Sequence, residues 1–166
     1  MFHKALSGQT MVYLLPTTGD PKPRLLVATP GIADGFRFSP DSQWIAWASN
    51  DSGKFEVYVA SLSAPANRRQ VSIGGGAQPA WRNDGKELFY LTQEGKLMAV
   101  ELKPGSPLQA DAPKPLFQSN ATGSYVGEVY APSAGGRRFL FAEPENRDAG
   151  NINVVVNWDA GLRRGK

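Results

Sequence analysis

The 166-residue sequence predicts an all-β protein, an incomplete β-propeller of about three to four antiparallel four-stranded blades. Three observations carry this. A turn–strand–turn–strand unit spans Phe38 to Val59. The unit recurs, with Asp41 and Asp84 in matching turns 43 residues apart, within the roughly 40–45 residues of a propeller blade. The 18 glycines and 13 prolines fall mostly between short apolar runs, none of which has helical periodicity.

The first unit shows the local logic. Pro40 fixes φ for a turn and Asp41 can accept from nearby backbone amides, so the chain reverses over Ser39 to Gln43. Trp44-Ile45-Ala46-Trp47-Ala48 follows, a β-favouring run too short for a typical helix. Asn50-Asp51-Ser52-Gly53 turns the chain again. From Phe55 to Val59, Phe55, Val57 and Val59 alternate with Glu56 and Tyr58, the pattern of a half-buried strand. Downstream, Trp81 to Tyr90 with Asp84 and Gly85 repeats the turn and first strand, and Gly95 to Val100 the second. A decayed copy runs from Tyr130 to Phe141 and ends in Ile152 to Val156.

Taken in order, residues 1–9 read as a disordered or remnant end, and 10–30 as a partial blade holding outer strands, Met11 to Leu15 and Arg24 to Ala28. Residues 31–73 form a blade with Gly35 to Phe38 innermost and Arg68 to Ile73 outermost. Residues 74–124 form the next, with strands at Gln78 to Trp81, Glu87 to Leu91, Lys96 to Leu102 and Pro115 to Phe117. Residues 125–158 are a final blade lacking its outer strand, with strands near Tyr125 to Tyr130, Arg138 to Ala142 and Asn151 to Trp158. Residues 159–166 are a basic tail. Blade edges left open in this way recruit a partner: upstream blades or a second copy.

Composition narrows function. A net charge of +3 with 20% charged residues does not suggest a nucleic-acid binder. Arg68-Arg69, Arg137-Arg138 and Arg163-Arg164 are read as solvated loops and tail. No run is apolar for long enough to span a bilayer, and the amino terminus lacks the apolar core of a signal peptide. The absence of cysteine excludes disulfides and thiolate chemistry.

No catalytic, cofactor-binding or metal-binding residue is expected. His3 is the sole histidine and no Gly-x-Ser-x-Gly elbow is present, so a Ser-His-Asp hydrolase has nothing to work with. Asp41 and Asp84 could resemble metal ligands or an acid–base pair, but equivalent turns of successive blades make turn bonding their role, and Asp51 and Glu94 are read likewise. Gly74-Gly75-Gly76 precedes a strand and lacks a following Lys-Ser or Lys-Thr, so it reads as a flexible blade connection, not a phosphate loop. The aromatic residues could stack on sugars or bases, but at strand positions they suit the packing between blades. The expected core is Phe38, Trp44, Ile45, Trp81, Leu88, Phe89, Phe139 and Trp158, with Trp47 and Tyr90 nearer to loops.

Three stretches resemble the C-terminal part of the TolB-type, WD40-like propellers appended to bacterial eukaryotic-like serine/threonine kinases. They are Phe38 to Ala46, with Ser42 in place of the Gly of the repeat core; Gly74 to Val100, with Asn83 where Pro is usual; and Asn153 to Leu162. The resemblance implies a non-catalytic propeller that follows a kinase domain and a membrane segment and senses or binds a protein or small ligand outside the cytoplasm. If the chain is complete in itself, the cytoplasm is the expected compartment. The kinase motifs themselves are absent from this sequence. The alternative expectation is a structural module whose open blades pair with another chain.

Overall fold

The computed structural model describes residues 2–6, 9–19, 21–103, 105, 108–121 and 128–142. Within them the chain forms four antiparallel sheets and no helix. The first sheet orders β1 (Phe2–Leu6), β2 (Gln9–Leu14) and β3 (Arg24–Thr29). The second orders β4 (Ala33–Phe38), β5 (Trp44–Ser49), β6 (Glu56–Ser61) and β7 (Ala64–Gln70). The third contains β8 (Ala77–Trp81), β9 (Glu87–Leu91) and β10 (Lys96–Lys103), with β11 (Gln109–Ala110) and β12 (Lys114–Gln118) both paired to β10. The fourth pairs β13 (Tyr130–Pro132) with β14 (Phe139–Phe141). Sheets built as meanders and stacked in chain order make an incomplete propeller.

Three apolar layers lie between successive sheets, and period-two alternation builds all of them. On β5, Ile45 and Trp47 face the first sheet, meeting Val12, Leu26 and Val27, while Ala46 faces the third. On β9, Leu88 and Tyr90 meet Val57 and Val59 of the second sheet, while Phe89 and Leu91 meet Tyr130 and Phe139 of the fourth. A fully buried large side chain contributes about 1.5–3 kcal/mol, so each layer is a principal source of stability. Ring geometry sharpens the packing: Trp47 stacks between Phe36 at 6.2 Å and Tyr58 at 5.9 Å, and Phe89 meets Phe139 edge-on at 5.0 Å.

Several sequence expectations change. Residues 2–6 form a strand whose backbone pairs with β2 from Phe2 opposite Tyr13 to Leu6 opposite Gln9, because the second edge of β2 would otherwise leave its amides unsatisfied. The outer strand of the second sheet is Ala64–Gln70, not Arg68 to Ile73; Pro65 is accommodated because β7 is an edge. The outer position of the third sheet is shared, β12 pairing with the first half of β10 and β11 with its end. β6 is buried on both faces, Glu56 and Tyr58 included, because a sheet covers it on each side. The strand expected at Asn151 to Trp158 lies outside the described residues.

Trp47 and Tyr90, placed near loops by the sequence, are fully buried at the centres of their sheets. Ile45, Leu88, Phe89 and Phe139 are buried, and Trp44 and Trp81 are half-buried at strand ends. Phe38 leaves the core: it ends the innermost strand and is 43% exposed, since its neighbour on one side is the axial space and not a sheet. Trp158 lies outside the described residues.

Gly76 is not a loose linker. Its amide donates to Phe55 O at 2.9 Å, and a Cβ there would stand 2.8 Å from the Tyr90 ring. Nor are Arg68 and Arg69 loop residues: they lie on β7, exposed as expected, and both are bonded. Arg68 Nη1 lies 2.5 Å from Asp51 Oδ2 with its guanidinium 5.0 Å from the Tyr58 ring centre, and Arg69 Nη1 donates to Leu108 O at 2.8 Å, fastening the second sheet to the third.

Candidate functional site

The innermost strands β4 and β8, with residues 128–132 leading into and through β13, border a concave axial face. Two adjoining cavities open on it. One, of about 300 Å³, lies beside Phe38, Pro40, Trp81 and Pro132. The other, of about 270 Å³, lies beside Asp34, Gly35 and Ala77. Arg37, Gln78 and Glu128 line both.

Matched irregularities shape this face. The register of β4 on β5 shifts between Asp34 and Arg37, and that of β8 on β9 between Ala77 and Ala80. Gly35 occupies the first bulge at φ 67° and Gln78 the second at φ 54°, one repeat period apart. The left-handed conformation suits Gly35, and a Cβ there would approach Pro79 Cδ to 3.3 Å. Gln78 holds the same conformation with a side chain, and it is anchored. Its Oε1 accepts from Val129 N at 3.1 Å and its carbonyl from the Tyr130 hydroxyl at 2.8 Å. Trp81 Nε1 donates to Arg37 O at 3.1 Å, so each inner strand is bonded to the next. Burial pushes the Tyr130 hydroxyl well above the usual phenol range, against the opposing field of Arg37.

The charge on this face is concentrated in one pair. Arg37 Nη2 donates to Glu128 Oε1, while Arg37 Nη1 donates to Phe36 O at 2.9 Å. The side chains stay 39% and 67% exposed. The face thus offers an Arg fork, the Asp34 carboxylate and an apolar wall, a composition suited to recognition.

The turn residues singled out in the sequence sit around this face and away from each other's chemistry. Asp41 Oδ1 accepts from Ser39 Oγ at 2.5 Å and Gln43 N at 3.0 Å, and Asp84 Oδ1 accepts from Lys86 N at 3.0 Å in the equivalent turn. The Ser39 hydroxyl holds Asp41 below its usual carboxylate range, and Arg82, bonded through Nε and Nη2 at 2.8 and 2.9 Å, does the same for Asp84. Gly85 sits at φ 71°, and a Cβ added there would stand 3.7 Å from Pro40 Cδ, so the two turns lie side by side. Glu94 is lowered by its own backbone amide and the Thr92 hydroxyl.

A second polar cluster is buried between β6 and β7. Ser72 Oγ accepts from Val57 N at 2.7 Å and donates to Glu56 Oε2, and Lys54 Nζ lies 3.5 Å from Glu56 Oε1. Its groups answer one another, which makes it structural. Among the described residues no group of three or more His, Asp or Glu is placed to hold a metal, and no helix is long and apolar enough to cross a membrane. The sequence missed Arg37, Gln78 and Glu128. Only Gln78 left a trace there, standing one period after Gly35.

These features define a segment of a β-propeller. No protein-family profile matches the chain and no curated protein sequence is similar to it. Its likeness is to solved structures of TolB-like propellers. TolB from Acinetobacter baumannii superposes with a TM-score of 0.58 at 18% identity, over 89% of this chain and 37% of that one. An oligogalacturonate lyase in complex with manganese gives 0.52 at 14% identity, over 87% of this chain and 39% of that one. The oligogalacturonate lyase of Vibrio parahaemolyticus gives 0.51 at 14% identity, over 88% and 39%. The chain therefore spans less than two fifths of each, and the likeness establishes the fold.

Proposed function

We propose that the chain is a binding module that recognises its ligand without chemistry, on the axial face between β4, β8 and β13. The observation that carries this reading is the pair of adjoining cavities around Arg37, Gln78 and Glu128, beside an exposed Phe38 and a half-buried Trp81. The larger, at about 300 Å³, by itself reaches the lower end of the small-ligand range, roughly 300 Å³ and upward. The oligogalacturonate lyases share the fold and are enzymes, and at 14% identity the likeness bears on the fold alone. The resemblance of Phe38 to Ala46 and Gly74 to Val100 to kinase-appended propellers supports a sensor role in a longer chain. Reading the coding DNA upstream of Met1 tests that linkage: a kinase and a membrane segment in frame are expected, and a stop codon there refutes it. For the binding face, a fragment screen followed by amide NMR is decisive. Ligand-induced shifts should cluster at Arg37, Phe38, Gln78, Trp81 and Tyr130. Hits confined to the outer strands would overturn the assignment.

A second reading is structural. Leu140, 71% exposed on β14, and Leu25, 49% exposed on β3, leave apolar side chains on the first and last sheets. Upstream blades or a second copy would cover them. Light scattering behind size exclusion separates the readings, since a soluble monomer is incompatible with a need for a partner.

A further inference from the structure

We infer that the axial face takes a carboxylate-bearing ligand with an apolar group beside it, and that Glu128 occupies the carboxylate position until the ligand displaces it. This rests on the axial face being the binding face.

Arg37 and Glu128 are 91 residues apart in sequence and meet above Gln78, where the two cavities adjoin. A guanidinium presents a planar fork that matches a carboxylate, and one arm of the Arg37 fork already holds one. The other arm is engaged as well, Nη1 donating to Phe36 O, and the Arg37 backbone is held where its carbonyl accepts from the Trp81 indole. The guanidinium is therefore pre-oriented. The Glu128 side chain is two-thirds exposed, and its segment is anchored through the Val129 amide on Gln78 and not through the carboxylate itself. An ion pair this exposed is worth at most about 1 kcal/mol, so a competing carboxylate can replace it at little cost. What such a competitor adds is apolar area. Phe38, Pro40, Trp81 and Pro132 stand in the cavity on one side of the pair, and Phe38 keeps much of its ring in water in the free protein. A ligand whose carboxylate sits on Arg37 can lay an apolar group on that wall. Glu128, tied to its backbone, cannot.

The sign of one substitution separates this from a structural role for the pair. Hydrocinnamate, a carboxylate joined to a phenyl ring, and hydrocinnamyl alcohol, its neutral analogue, are titrated into the full chain at fixed ionic strength. The Trp81 indole proton is followed by NMR and folding is checked by circular dichroism. Hydrocinnamate should shift that resonance saturably, and in Glu128→Gln, where no internal carboxylate competes, the alcohol should bind about two- to fivefold more weakly than the acid, the worth of an exposed pair. Glu128→Gln removes the internal competitor and should tighten hydrocinnamate by about two- to fivefold, as an exposed pair of ordinary strength would give. Arg37→Gln added to Glu128→Gln should abolish the preference for the acid. If Glu128→Gln weakens binding or leaves it unchanged, the displacement is wrong. Equal binding of acid and alcohol to Glu128→Gln, with the Trp81 shift retained, overturns the carboxylate assignment and leaves the binding face standing. No shift with either probe overturns both.

Discussion

Ser42 and Gln78 hold left-handed backbone conformations, φ 56° and 54°, at positions where the neighbouring repeat has glycine, Gly85 and Gly35. An L-residue pays roughly 1–2 kcal/mol there. Replacing it by glycine recovers that strain but loosens the unfolded chain by about 0.4–1 kcal/mol. Ser42 is exposed, and the backbone bond that closes its turn, Ser42 N to Ser39 O at 2.8 Å, survives the change. Ser42→Gly should therefore stabilise the protein by about 0.5–1 kcal/mol. Gln78→Gly recovers the same strain but deletes the Gln78 Oε1 bond to Val129 N, a loss of about 0.5–1.5 kcal/mol, so it should be neutral or destabilising. Urea unfolding followed by tryptophan fluorescence reads both, with an unchanged m-value confirming that the native and unfolded states compared are the same. The reasoning is refuted if Ser42→Gly destabilises, or if Gln78→Gly gains as much as Ser42→Gly.

Trp47→Ala removes the ring stacked between Phe36 and Tyr58 and should cost about 3–5 kcal/mol; a loss below about 1 kcal/mol in the same urea assay would show that the first two sheets are not held by this layer. Gly76→Ala places a methyl 2.8 Å from the Tyr90 ring and 3.0 Å from Ser72 Cβ, and should destabilise by about 1–3 kcal/mol; no change in urea midpoint would contradict the packing. Burial raises the Tyr90 hydroxyl from 10.0 to about 12 and lifts Tyr130 as well, whereas both ionise near pH 10 when unfolded. Groups raised in the folded state contribute stability that is complete below about pH 10 and is lost as the pH rises toward the folded values. Urea midpoints should fall over that window, and Tyr90→Phe should make the fall shallower; an unchanged slope would exclude Tyr90 as a source.

Much of the fold was legible because propeller strands are short and locally encoded. Pro40 with Asp41, and Asp84 with Gly85, announce their turns within four residues, and the Asp41 and Asp84 carboxylates accept from the amide two residues on in both copies. The 43-residue period then orders the sheets. The sequence was less informative at residues 2–6, where a strand forms because β2 has an edge to satisfy, and at Ala64–Gln70, where Pro65 masks an edge strand.

What the sequence by itself determined is the turns within the repeats and the alternation along their strands, since both follow from interactions within a few residues. Only the tertiary structure decided which alternating faces are covered. Period-two patterning does not say that Glu56 and Tyr58 lie against a neighbouring sheet, or that Phe38 looks into the axial space while Trp47 is sealed. The candidate site belongs wholly to this second class. Arg37 and Gln78 come from the inner strands of successive sheets and Glu128 from the segment leading into the next, and they meet only when the blades stack.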